Sequence, residues 1–157
     1  MKIAEFIPKK AIVTDLKAKD KKGAIQELVK AVKGTGAGSK IVVAEVTQAI
    51  LEREKLGSTG IGRGVAVPHA KSARVSKLVG ALGRAKKPVP FDAIDGAGVD
   101  IFFLILSPPE AGEEYHKALT SIMQLVKKNT FLDFLRNGKG LKDLEEILKD
   151  AEEPIKV

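Results

Sequence analysis

The sequence predicts one α/β domain, and three observations carry the prediction. Segments of strand character alternate with segments of helical period along the chain. Val99 to Leu106 is apolar but for Asp100, a run of the kind found in a strand buried on both faces. The 157 residues show no internal repeat and no long linker. That length is one domain by size (residues 1–157) and buries a proper core. Hydrophobic residues at 44% and charged residues at 30% describe an ordinary soluble globular protein. Aromatics at only 4%, with no Trp and a single Tyr, make that core mostly aliphatic.

About ten residues form an N-terminal arm, and Ala11-Ile12-Val13-Thr14 then reads as a short strand. Asp20 is placed to N-cap a helix through Ala24, Ile25, Leu28, Val29 and Val32, which recur at helical spacing. Gly34 to Gly38 ends that helix in a flexible turn, and Ser39 is the expected cap of the next, from about Ile41 to Lys55. Gly64 to Val67 is the next strand, with Pro68 holding Val67 extended. Leu78 to Gly83 is a strand weakened by its glycines, and Lys86 to Phe91 reads as a loop. After the Val99–Leu106 strand, Pro108-Pro109 stops the chain. Three helices follow: about Glu113 to Lys127, one capped by Asn129, and about Leu141 to Asp150. The tail, 151–157, is expected to fray.

Composition excludes several function classes. The absence of Cys removes disulfides, thiolate metal sites and cysteine nucleophiles. Two histidines with no helical His-x-x-x-His pair argue against a structural metal site, and no metal or other cofactor is expected. The N-terminus is too interrupted by charge for a cleavable signal, and no apolar run approaches a membrane span, so the cytoplasm is the expected location. The net charge is +7, and residues 1–33 hold nine lysines against Glu5, Asp15, Asp20 and Glu27. That end contains no Arg and one aromatic, Phe6, whereas base reading favours Arg and strand binding needs stacking platforms. A solvated lysine face, or steering of an acidic protein partner, fits it better than nucleic acid.

The chemistry concentrates in Gly57-Ser58-Thr59-Gly60-Ile61-Gly62-Arg63-Gly64-Val65-Ala66-Val67-Pro68-His69-Ala70-Lys71. A histidine at a strand rim beside a glycine-rich loop supplies a nucleophile that is neutral over much of the physiological range. The loop supplies backbone dipoles for phosphate oxygens. A second glycine run, Gly34 to Lys40, imitates a nucleotide loop but has Ser39 before Lys40 and a helix, not a strand, in front; it reads as a linker. His116 falls on the flank of the stripe Tyr115, Ala118, Leu119, Ile122, Leu125 and Val126, where periodicity reads it as a half-buried boundary residue. Val42, Val46, Ala49 and Arg53 share one helix face, which puts a guanidinium where an apolar residue is expected. Two readings of Arg53 stand: a side chain snorkelling from the last turn, or an anion clamp beside His69.

Leu51 to Gly62, followed by Gly64-Val65-Ala66-Val67-Pro68-His69 and continued by Lys86 to Asp95, resembles the fructose/mannitol-type (type 2) enzyme IIA of the bacterial phosphoenolpyruvate-dependent phosphotransferase system. The stretch Leu56-Gly57-Ser58-Thr59-Gly60-Ile61-Gly62 leans toward its nitrogen-regulatory branch. The resemblance covers about Ala11 to Leu148 and implies a mixed β-sheet sandwiched between helices on both faces. It implies that His69 is the phosphorylated residue, charged by HPr or its nitrogen-branch counterpart. His116 and Arg53 match the family's second active-site histidine and its arginine. Ser58 and Thr59 are then expected at the phosphate. Arg63 stands where relatives often carry Asn, His or an acidic residue, which bears on phosphoryl affinity or partner choice; Ala70 replaces a common Gly.

These expectations describe a phosphocarrier that forms a phosphohistidine. The resemblance favours a regulator whose target is unnamed. A sugar-transport component passing phosphate to an enzyme IIB shares the chemistry, and a binding module without phosphorylation is the third class.

Overall fold

The computed structural model describes residues 2–151. Its sheet is built around an antiparallel pair, β5 (Val79–Val89) and β6 (Val99–Ser107). β1 (Ile12–Val13) lies parallel to β5, and β3 (Val65–Ala66) lies parallel to β6. β2 (Gly60–Gly62) closes the far edge antiparallel to β3, giving the order β1-β5-β6-β3-β2. β4 (His69–Lys71) also runs parallel to β6. From Ile101 to Leu106 the β6 strand is apolar and buried because both its faces are covered. Ile101, Phe103 and Ile105 face α3 (Gly112–Val126), α4 (Asn129–Asn137) and α5 (Leu141–Asp150). Phe102, Leu104 and Leu106 face α1 (Lys21–Lys33) and α2 (Val43–Glu54). This is the mixed sheet with helices on both faces, and period-two alternation along one strand feeds both cores.

Local signals explain most elements. The Asp20 carboxylate accepts from the Gly23 amide at 2.7 Å and caps α1 as expected. Ser39 does not cap α2: that helix starts at Val43 after Val42, without a side-chain cap. The turn before it is held instead by the Lys33 ammonium, which donates to the Ile41 carbonyl at 2.6 Å. Asn129 is the first residue of α4, and its side-chain oxygen accepts from Arg63 rather than from the helix. The stretch expected as an arm packs into the fold, with Ile3, Phe6 and Ile7 in the core. Of the expected tail, residues 152–157 lie outside the described residues.

β5 runs on through the stretch read as a loop. Its glycines fit close packing: a Cβ at Gly83 would lie 2.6 Å from Leu16 and 2.7 Å from Leu28, and one at Gly80 would lie 2.7 Å from the Leu104 carbonyl. Beyond Arg84 the register with β6 slips before pairing resumes at Val89, and Lys86, Lys87 and Pro88 are exposed. Proline and two lysines thus occupy the part of the strand that leaves the ladder.

Candidate functional site

β3 and β4 form one line along β6, Ala66 opposite Phe102 and His69 opposite Ile105, broken at Val67-Pro68. Pro68 has no amide to give the ladder, and the Val67 amide turns away to the Thr59 carbonyl at 3.0 Å. The freed Val67 carbonyl lies 2.8 Å from Nδ1 of His69. A carbonyl only accepts, so Nδ1 carries the proton and Nε2 keeps its lone pair. His69 is half-buried, and its pKa lies below the ordinary imidazole value. Burial is the largest cause and the Arg53 charge adds to it; the bond to Val67 and the Glu54 charge act the other way. The imidazole is thereby kept neutral and nucleophilic.

The loop before β2 is packed against the segment after β5. A Cβ on Gly60 would lie 2.7 Å from the Ala93 Cβ, so only glycine fits this crossing. The Gly60 carbonyl accepts from Ile94 at 3.0 Å. The two hydroxyls expected at a phosphate are engaged in the fold: Ser58 Oγ donates to the Phe91 carbonyl at 2.9 Å, and Thr59 Oγ1 donates to the Glu54 carboxylate.

α3 supplies the opposite wall. The Tyr115 ring meets His69 edge-on with centroids 5.7 Å apart and stands 6.2 Å from the His116 ring. Burial pushes the Tyr115 hydroxyl up to about 12, so it stays neutral. His116 is exposed rather than half-buried, one position off the buried Tyr115–Ala118–Ile122 stripe. Lys71, two residues beyond His69 and therefore on the same sheet face, holds its ammonium 5.6 Å from the Tyr115 ring. Arg53, partly buried, donates to the Gly57 carbonyl at 3.0 Å, and its charge reaches both His69 and Tyr115. Two imidazoles, a guanidinium and an ammonium are thus grouped around one neutral phenol.

Sequence reasoning missed Glu54 and put Arg53 on the wrong face. The buried stripe of α2 is Val46, Thr47, Ile50 and Glu54, while Val42 and Ala49 are exposed. Glu54 is only 5% exposed. It accepts the Thr59 amide at 3.1 Å and pairs with Lys21 at 2.9 Å. The spacing Val46–Ile50–Glu54 was the available signal. Lys71 was hidden because a surface lysine after a strand has many bland readings.

Arg63 does not join this group. It sits at φ 60° in the β2–β3 turn, and its guanidinium donates to the Val126 carbonyl at 2.8 Å and to Asn129. Arg136 reinforces that corner, gripping Asp100 through both carboxylate oxygens at 2.9 Å. Among the described residues no group of three or more His, Cys, Asp or Glu is arranged to hold a metal ion, and no helix is long and apolar enough to cross a membrane.

Residues 5–151 match the family model described as phosphoenolpyruvate-dependent sugar phosphotransferase system, EIIA 2. The nitrogen regulatory protein of Bradyrhizobium diazoefficiens is 36% identical over 149 residues, which is 94% of this chain and 95% of the relative. The crystal structure of nitrogen regulatory protein IIA-Ntr from Neisseria meningitidis superposes with a TM-score of 0.84 at 33% identity, covering 93% of this chain and 98% of that one. The IIA mannitol structure from Escherichia coli shares the fold, with a TM-score of 0.74 at 23% identity over 90% of this chain and 97% of its own.

Proposed function

Given that this chain belongs to the EIIA type 2 family of the phosphoenolpyruvate-dependent phosphotransferase system, we propose that it is a phosphocarrier that regulates through the nitrogen-related branch and carries its phosphoryl group on Nε2 of His69. What supports the nucleophile is the tautomer: with Nδ1–H donated to Val67, the only free lone pair on the ring is that of Nε2. What supports regulation is the name that the Bradyrhizobium and Neisseria relatives carry.

The donor is HPr or its nitrogen-branch counterpart, bearing a phosphohistidine. Nε2 of neutral His69 attacks the phosphorus in line. The new N–P bond forms as the donor's N–P bond breaks, and the electron pair of that bond returns to the donor imidazole as its lone pair. His69 keeps its Nδ1 proton throughout, so its ring gains positive charge while Val67 continues to accept. Arg53, His116 and Lys71 face the equatorial oxygens and offset their charge. Ser58 reaches those oxygens by rotating away from Phe91, whereas Thr59 stays with Glu54. Leu56 and Ile94, both exposed beside the glycine loop, give a protein donor apolar contact. The reaction needs no metal or nucleotide, because the donor already holds a high-energy phosphoramidate, and it runs in the cytoplasm where that donor is charged.

Incubation with phosphoenolpyruvate, enzyme I and HPr (or the nitrogen-branch proteins) tests this. Acid-labile phosphate on the wild type and none on a folded His69→Ala variant is the expected result. Label retained by the variant overturns the assignment of His69, and onward transfer to an enzyme IIB would favour sugar transport over regulation.

A further inference from the structure

The transfer step described above leaves one buried charged group beside the nucleophile unused. Glu54 is linked to His69 through two intervening residues, Thr59 and Val67, each hydrogen-bonded to the next. Its carboxylate accepts the amide and hydroxyl of Thr59; the Thr59 carbonyl accepts the Val67 amide at 3.0 Å; and the Val67 carbonyl accepts Nδ1–H of His69 at 2.8 Å. At the other end Lys21, from α1, pairs with the same carboxylate at 2.9 Å and rests 4.7 Å from the Phe91 ring.

We propose that Glu54 is a positioning residue for His69, acting through Thr59 and the Val67 peptide with Lys21 as its counter-ion. This rests on His69 being the phosphoryl acceptor. Two jobs follow from the geometry. The first is to fix the tautomer. The Val67 amide is pinned to the Thr59 carbonyl, which holds that residue with its own carbonyl aimed at Nδ1, and a ring that flipped or moved its proton would leave a carbonyl unpaired. The second is to steady charge. A neutral imidazole that forms an N–P bond while keeping its Nδ1 proton becomes cationic. The nearby buried anion favours that form through its charge, as the carboxylate of a Ser–His–Asp triad favours its imidazolium. Arg53, the neighbour of Glu54 in sequence, does the opposite work on the phosphoryl oxygens. Two adjacent α2 residues of opposite charge therefore serve the two ends of the new bond.

The charged and titratable groups facing His69 are Arg53 and Glu54 from α2, Lys71 from its own strand, and Tyr115 and His116 from α3. Of these, Glu54 is the anion.

The test uses the intact protein labelled with ¹⁵N in its imidazoles, as wild type, Thr59→Val, Thr59→Ser and Glu54→Gln. The imidazole shifts report tautomer and pKa of His69 with no donor present, and transfer from phospho-HPr is timed separately. The wild type is expected as the Nδ1–H tautomer. Thr59→Val and Glu54→Gln should shift population toward Nε2–H, lower the His69 pKa further, and slow transfer by about tenfold, the scale of one lost charge-assisted bond. Thr59→Ser should restore all three. Should Glu54→Gln fail to fold, the Thr59 pair decides alone. Slow transfer by Thr59→Val with wild-type tautomer and pKa overturns the proposal and assigns Thr59 to the phosphate. Shifts that move as expected in a protein no donor can phosphorylate would uphold the positioning role and end the phosphocarrier reading instead.

Discussion

Lys21→Met removes the cation from the Lys21–Glu54 pair while leaving an isolated carboxylate in the fold. The two side chains are 20% and 2% exposed, so the carboxylate is far less able than its partner to turn to water. Stripping one member from a fully buried pair costs about 3–5 kcal/mol. Here Glu54 keeps the Thr59 amide and hydroxyl, and the Lys21 side meets solvent, which reduces the expected loss to about 2 kcal/mol. For a 157-residue domain that is a fall in Tm of roughly 4–8 °C. Methionine retains the aliphatic stem over Phe91, so the change is mainly one of charge. Urea denaturation at neutral pH, at low and high salt, measures it. A buried pair is little screened, so the loss should be nearly independent of salt. In a double-mutant cycle with Glu54→Gln, the double variant should lose less than the two single variants together, by about 1 kcal/mol or more. A loss below about 0.5 kcal/mol, or simple additivity, would refute the view that this pair holds the loop beside the nucleophile.

Further outcomes are open to direct measurement. If Arg53 acts as proposed, Arg53→Ala should slow transfer from phospho-HPr by about tenfold or more, chiefly in kcat, because it would remove a charge facing the phosphoryl oxygens most strongly in the transition state; an unchanged rate would return Arg53 to its role on the Gly57 carbonyl. An NMR titration should place the midpoint of His69 below that of ordinary histidine, about 6.5, because burial disfavours the cation. As pH falls the unfolded chain then takes up its proton first, so His69 contributes stability above about 6.5 that is lost as pH drops through its folded pKa. A midpoint at or above the ordinary value would contradict the environment described. Gly60→Ala should destabilise the domain by about 1–3 kcal/mol, since the added methyl meets the Ala93 backbone and side chain, read as a lower urea midpoint with an unchanged slope.

By itself the sequence determined the elements whose signals are local. Asp20 ahead of an apolar stripe specified α1, and the Val99–Leu106 run, apolar but for Asp100, specified the central strand, because a cap and a period are properties of neighbours in the chain. The Pro68-His69 step and the glycine run pointed to a candidate site for the same reason, and the family resemblance proposed His116 and Arg53 for it. Tertiary structure decided what depends on partners distant in sequence. β2 and β4 are three residues each and exist through pairing with β3 and β6, which no local period encodes. The slipped end of β5 looked like a loop because its lysines and proline are surface residues of a strand whose other pairs are far away. The stripe Val42–Val46–Ala49–Arg53 and the stripe Val46–Ile50–Glu54 have equal claim to helical spacing. Only the Lys21 ammonium and the Thr59 amide and hydroxyl, delivered by other elements, make burial of the glutamate favourable and leave the arginine partly exposed, its charge acting on His69.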